Sequence, residues 1–271
     1  MAAMAVAITI AAIIVITYTL GIYVAMKKPI GWGDKFGQGN YRIIQSGGTD
    51  PEDHALYVTG QGAKVEIVPY KEIAVVSGKS PRLWVKKGTE GDALAVVRDK
   101  WLNTEMTVSF YNSKGVGTIS LRSLSNHLQN CGFGGYIVTF YPAENKVYAK
   151  KEGLHPIYTR RITTENFEFP ENKWISIRQI SKKSIETKYV SLEASVSLDN
   201  GKSWKKVLEA MDRGKWNKWD IDPEDEDILK RCGKELKDLE KPFLEPAESV
   251  YLRMDNSTKV LIKDYYVNEI P

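Results

Sequence analysis

The 271-residue sequence predicts an all-β protein, a two-sheet antiparallel jelly roll or β-sandwich with one short helix, preceded by a single transmembrane α-helix. Three observations lead there. From Met1 to Met26 no side chain is charged, although the chain carries 38 basic and 34 acidic residues. Beyond residue 60 the sequence breaks into about a dozen short β-branched or aromatic runs, divided by turn residues and lacking the strand–helix alternation of parallel sheets. Within several runs apolar and polar residues alternate, the period of a strand with one packed face.

The elements follow in order. Residues 1–26 would span roughly 39 Å as a helix at about 1.5 Å per residue, more than the hydrocarbon core of a bilayer needs. The run has no basic N-terminal flank and is too long for a cleaved signal, so it is expected to be an uncleaved anchor in the lipid bilayer. Residues 27–60, rich in Gly and polar side chains, read as a linker and first edge segment. The sandwich domain is placed at 61–271, with strands at 63–69, 72–77, 82–86, 94–98, 104–112, 116–122, 134–141, 146–151, 173–181, 188–198, 249–254 and 259–268. In the 188–198 run, Val190, Leu192, Ala194, Val196 and Leu198 share one face, and Ser191, Glu193, Ser195 and Ser197 the other. Asn112–Gly115, Ala143–Asn145 and Asp199–Gly201 have the composition of hairpin turns. Asp222 can cap the one helix, Pro223 suits its first turn, Glu224 to Asp227 place acid at its positive end, and Gly233 stops it.

Composition and motifs exclude several classes. A net charge of +4 spread over both signs gives no basic stripe for nucleic acid. No second apolar run is long enough to cross a bilayer, and no zinc-protease, zinc-finger, phosphate-loop or hydrolase-elbow motif occurs. No metal or cofactor is expected. The acidic run Asp220–Asp227 could at most take a structural calcium, but it lacks the glycine of a calcium loop and suits a helix N-terminus better. Glycosidase chemistry wants paired carboxylates on one strand, and no strand offers them. Cys131 and Cys232 either form one disulfide, as expected in an oxidising compartment, or stay as two buried thiols.

The stretch with the densest mixture of polar and aromatic side chains runs from Arg122 to Arg161. It supplies the expected ligand-binding residues Arg122, His127, Tyr136, Tyr148, Lys150, Glu152, His155 and Tyr158. By the strand period Tyr148, Lys150 and Glu152 share a face. Sugars suit such a face, because their C–H surfaces stack on rings and their hydroxyls need directional partners. A Tyr or His beside a cation could also abstract the C5 proton of a uronic acid, which would make His155, Tyr158 and His127 catalytic. Packing by tyrosines and a solvated Lys–Glu pair account for the same residues without any ligand.

Several segments carry a family likeness. They are His127 with Cys131–Tyr136, Lys150–Tyr158, Lys173–Arg178, Leu192–Asp199, Lys205–Val207, Asp212–Trp216 and Val250–Asn256. On these the chain resembles the concanavalin A-like lectin/glucanase superfamily, in the form of a laminin-G-like jelly roll of prokaryotic cell-surface proteins, over residues 60–270. The resemblance implies a two-sheet jelly roll, an extracytoplasmic setting and glycan binding. Some polysaccharide lyases share the architecture, which would carry activity onto His127, His155 and Tyr158; the remainder of a lyase set is not recognisable.

Three readings follow. The first is a single-pass, membrane-anchored surface protein whose sandwich binds glycan or cell-envelope polymer without catalysis. The others are a structural subunit of a membrane or envelope assembly, and a membrane-tethered polysaccharide lyase. Lys27, Lys28 and Lys35 after the anchor favour a cytoplasmic domain by the positive-inside bias. The cysteines and the resemblance favour the outside, which is the expectation adopted.

Overall fold

The computed structural model describes residues 30–31, 39–52, 55–86, 101–128, 132–163, 167–246 and 249–271. The expected anchor at 1–26, the strand at 94–98 and Cys131 lie outside the described residues. No described helix is long and apolar enough to cross a membrane.

Sixteen strands are present among the described residues. The first eight are β1 (Ile30–Gly31), β2 (Arg42–Gln45), β3 (Leu56–Val68), β4 (Ile73–Lys86), β5 (Thr104–Asn112), β6 (Thr118–Leu128), β7 (Gly132–Tyr141) and β8 (Lys146–Leu154). The others are β9 (Ile157–Thr159), β10 (Ile162–Thr163), β11 (Lys173–Ser184), β12 (Tyr189–Ser197), β13 (Lys205–Asp212), β14 (Trp219–Asp220), β15 (Ser249–Asp255) and β16 (Lys259–Glu269). Twelve of them follow the hydrogen-bonded order β13-β12-β11-β5-β16-β4-β15-β6-β7-β8-β9-β14; off this path β1 pairs with β16, β10 with β8, β2 with β3 and β3 with β4.

This continuous path folds into two layers at β4. Its first half, Ala74–Ser77, pairs with β16, and its second half, Arg82–Lys86, pairs with β15. The bend between them falls at Gly78, whose φ is +110° and whose added Cβ would sit 2.6 Å from the Ala63 Cα. Only glycine fits there, and the facing strand β3 bends at the same place through Gly60 and Gly62, where its register shifts. The expected strands 72–77 and 82–86 are therefore one strand. The Gly-Lys-Ser-Pro sequence that suggested a turn instead makes a corner between sheets.

The layers face each other across one apolar core. Ile177 and Val108 lie on one side, Val138, Phe140 and Ala149 on the other, all fully buried. Hydrogen bonds also cross the gap. Gln179 Nε2 donates to Ser123 Oγ at 2.6 Å, and Tyr136 Oη donates to Asp212 Oδ2 at 2.6 Å. The molecule is thus an antiparallel β-sandwich. In β12 the expected alternation holds for Val190, Leu192, Ala194 and Val196, but Leu198 is exposed because the strand has already entered its turn.

The β7–β8 and β12–β13 hairpins form at the expected turns. Asn112–Gly115 does not make a hairpin: β5 pairs with β11 and β16, β6 with β15 and β7, so this segment crosses between layers. The helix spans Pro223–Arg231, with Asp222 Oδ1 accepting from the Asp225 amide at 3.0 Å and Asp225 Oδ2 from the Asp222 amide at 3.2 Å. Gly233 closes it at φ +58°, and a second short helix follows at Leu236–Glu240.

Candidate functional site

The outer face of the β4-β15-β6-β7-β8 sheet carries a cleft of about 580 Å³. Strand period and register alone dictate its lining. Core residues take one parity, such as Ile119 and Leu121 on β6, Val138 on β7, Ala149 on β8 and Leu252 on β15, so the other parity faces out. Adjacent strands then place outward residues side by side in rows. One row reads Arg82, Arg253, Ser120, Thr139, Tyr148. The next reads Trp84, Tyr251, Arg122, Ile137, Lys150. Tyr158 on β9 stands opposite Glu152 on β8 and closes one side.

Aromatic rings and cations interleave on this face. Lys150 Nζ lies 3.9 Å from the centroid of the Tyr158 ring. The Arg161 guanidinium is 4.8 Å from the Tyr148 ring, and that of Arg122 is 5.0 Å from Tyr251. Each is within the distance at which a cation is drawn to a ring face. Polar groups fill the space between, including Ser120 and Thr139, whose hydroxyls are 2.9 Å apart. Arg122 is buried and ion-paired with the fully buried Glu152. The other Glu152 oxygen, Oε1, meets His155 Nδ1 at 2.7 Å, and the Tyr158 hydroxyl is 3.2 Å from that same nitrogen.

The electrostatics follow from crowding of like charge. Burial, then the charges of Arg122, Arg161 and Arg253, lower Lys150 to a pKa of about 8. Burial, then Arg122, Arg82, Arg253 and Lys150, lower the His155 pKa below its ordinary value.

The structure brings together Arg122, Tyr148, Lys150 and Tyr158 as lining residues. Glu152 lies beneath them as the partner of Arg122, and His155 sits half-exposed at the edge. Tyr136 does not join them. It has the parity of Val138 and Phe140, and points into the core against Trp216 and Phe243. His127 lies further along β6 opposite Phe133, past the register shift that ends the regular ladder. Sequence reasoning missed Arg161, Ser80 and the β15 residues Tyr251, Arg253 and Asp255. The last three alternate with buried Val250, Leu252 and Met254, so their shared face was legible, but the pairing of β15 between β4 and β6 was not.

Among the described residues, no three His, Cys, Asp or Glu side chains converge on a possible metal position. Asp222 and Asp225 in the acidic run cap the helix instead. No described cysteine is a free thiol. Cys232 ends the helix beside Leu229, and Cys131, its expected partner, lies outside the described residues.

Fold and cleft together define a β-sandwich with a cationic, tyrosine-bearing groove on one outer face. No family model matches the chain, and no curated protein does. Among solved structures it is similar to a carbohydrate-binding module from Bacillus subtilis, at 9% identity and a TM-score of 0.37, over 72% of this chain and 86% of that one. It is also similar to arcelin-5, a lectin-like defense protein from Phaseolus vulgaris, at 6% identity and a TM-score of 0.37, over 84% and 96% of the two chains. A structure concerning botulinum neurotoxin type C and its interaction with two ganglioside molecules shows 8% identity and a TM-score of 0.39. The match takes in 85% of this chain and spans about half of the toxin chain, 48%. Likenesses this distant leave the functional reading to the cleft's own geometry.

Proposed function

We propose that the chain is a membrane-anchored surface protein whose concanavalin A-like jelly roll binds a saccharide in this cleft. One observation carries the reading: the partly exposed ring of Tyr158 stands beside two cross-strand rows of hydrogen-bonding side chains, among them Arg253, Ser120, Thr139 and Lys150, on one open face. Rings offer surfaces for sugar C–H groups, and Arg, Lys, Ser and Thr offer directional partners for hydroxyls. The volume lies within the range of about 300–1,000 Å³ usual for small-ligand sites. A glycan array probed with the full-length chain tests this. Binding to a defined set of glycans is expected, with an affinity loss of about tenfold for Tyr158→Ala, since about 1.4 kcal/mol of ring contact is a factor of ten. An array without any bound glycan sinks the reading.

The anchor rests on residues 1–26, and the extracytoplasmic placement on the cysteines and the resemblance. Protease shaving of intact cells is expected to remove the domain, and peptide mapping without reductant to recover Cys131 linked to Cys232. A protected domain overturns the placement.

A second reading, uronate β-elimination, has one observation in its favour: Tyr158 and His155, whose pKa is lowered by burial and neighbouring cations, are in contact beside Lys150. Tyr158, its own proton passed to His155 Nδ1, would take the C5 proton while the cations hold the carboxylate. A C4–C5 double bond would then form as the C4–O bond breaks, and the departing oxygen would take a proton back from Tyr158. Incubation with polyuronates, followed by ultraviolet absorbance of the unsaturated product, decides it. A flat trace leaves binding alone.

A further inference from the structure

We infer that the cleft selects an acidic saccharide, one bearing a carboxylate or sulfate that docks between Lys150 and Arg161. The inference rests on the saccharide reading above and adds the charge of the ligand. It comes from the balance of the lining. Four cations, Arg122, Lys150, Arg161 and Arg253, face two acids, Glu144 and Asp255. Both acids are occupied: Asp255 pairs with Arg253 at 2.8 Å, and Glu144 accepts from the Tyr148 hydroxyl and lies 3.6 Å from Lys146. Arg122 is taken by Glu152. That leaves Lys150 and Arg161, neither of which is ion-paired with a carboxylate among the described residues, although Asp220 lines the adjoining groove with both. Each is held instead over a tyrosine ring, Tyr158 and Tyr148 respectively.

Lys150, partly desolvated in the groove and crowded by the guanidiniums of Arg122, Arg161 and Arg253, is an unfavourable charge there without an anion. Burial and the neighbouring guanidiniums already pull the Lys150 ammonium well below its ordinary range. An anion between Lys150 and Arg161 removes that conflict and gains charge-assisted hydrogen bonds, while the sugar ring lies against the partly exposed Tyr158. Exposed Lys230 and Lys237 each have an acid three or fewer residues away. Lys71 and Lys205 also lie over rings, but both are exposed, whereas Lys150 is held inside the cleft among three guanidiniums.

The test is titration calorimetry on the full-length chain in a detergent without a sugar headgroup. The probes are a galacturonic acid oligomer, a sulfated galactan oligomer, a neutral glucan oligomer and polyglutamate. At least one acidic saccharide is expected to bind at least tenfold more tightly than the neutral one. Lys150→Gln and Arg161→Gln should each weaken it about tenfold, as loss of a charge-assisted hydrogen bond implies. Lys230→Gln should change nothing. Thermal melting of each variant shows that it is folded. The carboxylate and sulfate probes tell which anion is preferred. Neutral glucan bound as tightly as the acidic oligomers overturns the inference while leaving the saccharide reading intact. No saccharide bound at all overturns both. Polyglutamate bound equally well, or acidic sugars bound equally by the two glutamine variants, overturns the assignment of a selective anion site to this pair.

Discussion

Two adjacent lysines on β8 show how much one residue of register decides. Lys150 faces the cleft, surrounded by Arg122 from β6, Arg253 and Asp255 from β15, Tyr158 and Arg161 from the β9 region and Asp220 from β14. With its pKa lowered from 10.5 to about 8, its charge and its attraction for an anion are present below that pH and fade as pH rises through it. Binding of an acidic oligomer is therefore expected to weaken from pH 7 to pH 9, and a constant affinity over that interval contradicts the role given to Lys150. For stability the sign is reversed: the unfolded chain holds the proton more tightly, so the contribution of Lys150 is lost as pH falls through about 8. Lys150→Gln should accordingly melt higher than the unsubstituted chain at pH 7, with the gap closing toward pH 10.5. Lys151, one residue on, is fully buried, 2.8 Å from Asp212, and donates to the carbonyls of Glu240 and Lys241 at 3.1 and 2.6 Å. Asp212 also accepts from Tyr136 Oη and the Gly214 amide. Removing one member leaves an unpaired buried charge, so Asp212→Ala should cost about 3–5 kcal/mol in chemical denaturation. The double replacement Lys151→Met with Asp212→Leu should recover much of that. The sequence shows Tyr148, Lys150 and Glu152 on one face correctly, because a single strand's period suffices. It also holds the signal that would have placed Tyr136 inside, its parity with Val138 and Phe140, which a search for polar-aromatic density passes over.

Elements were legible where a local interaction settles them. The helix at Pro223–Arg231 announces itself through Asp222 and Pro223, and the reciprocal Asp222–Asp225 bonds realise the cap. Asp222→Ala should lower stability by about 1 kcal/mol, read as a shift in denaturation midpoint with unchanged slope. The helix joins the sheet through a small second cluster of Leu154, Ile157, Leu229 and Leu239. The Asp199–Gly201 turn is equally local: Ser203 donates its amide to Asp199 at 2.9 Å, and Gly201 donates to Ser197 at 2.9 Å. Strand β13 escaped notice because its inward residues are Leu208, Ala210 and Asp212, and an acid in the apolar register hides the pattern. The β4 corner failed for a different reason. Glycine at positive φ followed by proline is turn chemistry by any local test, and only pairing with β16 on one side and β15 on the other shows that the strand continues. Gly78→Ala puts a Cβ against the Ala63 backbone and should destabilise the whole sandwich rather than one loop.

At the scale of the molecule, the pairing that builds the cleft is non-local and leaves no mark on a single sequence. The lining comes from β4, β6, β7, β8, β9 and β15, and β15 joins the others across a long stretch of chain, from beyond β14 and the two helices. What aligns it is the two-layer core, into which the last strand is built most deeply. β16 bonds to β4 through Lys259–Ile262 and to β5 through Ile262–Glu269, and buries Val260, Ile262, Tyr265 and Val267 completely or nearly so. Tyr265 crosses the layers, its hydroxyl donating to the Leu83 carbonyl at 3.2 Å. Leu83 lies between Arg82 and Trp84, which begin the two rows of the cleft. Three graded changes separate the contributions. Tyr265→Phe should cost about 1 kcal/mol, the net worth of one hydrogen bond. Tyr265→Ala should cost about 3–5 kcal/mol through the cavity it leaves. Removal of residues 259–271 should abolish cooperative unfolding, since it strips the partner from both β4 and β5 at the junction of the layers. If the shortened chain still melts in one sharp transition, the layers are held together elsewhere, and the cleft's dependence on this core is refuted.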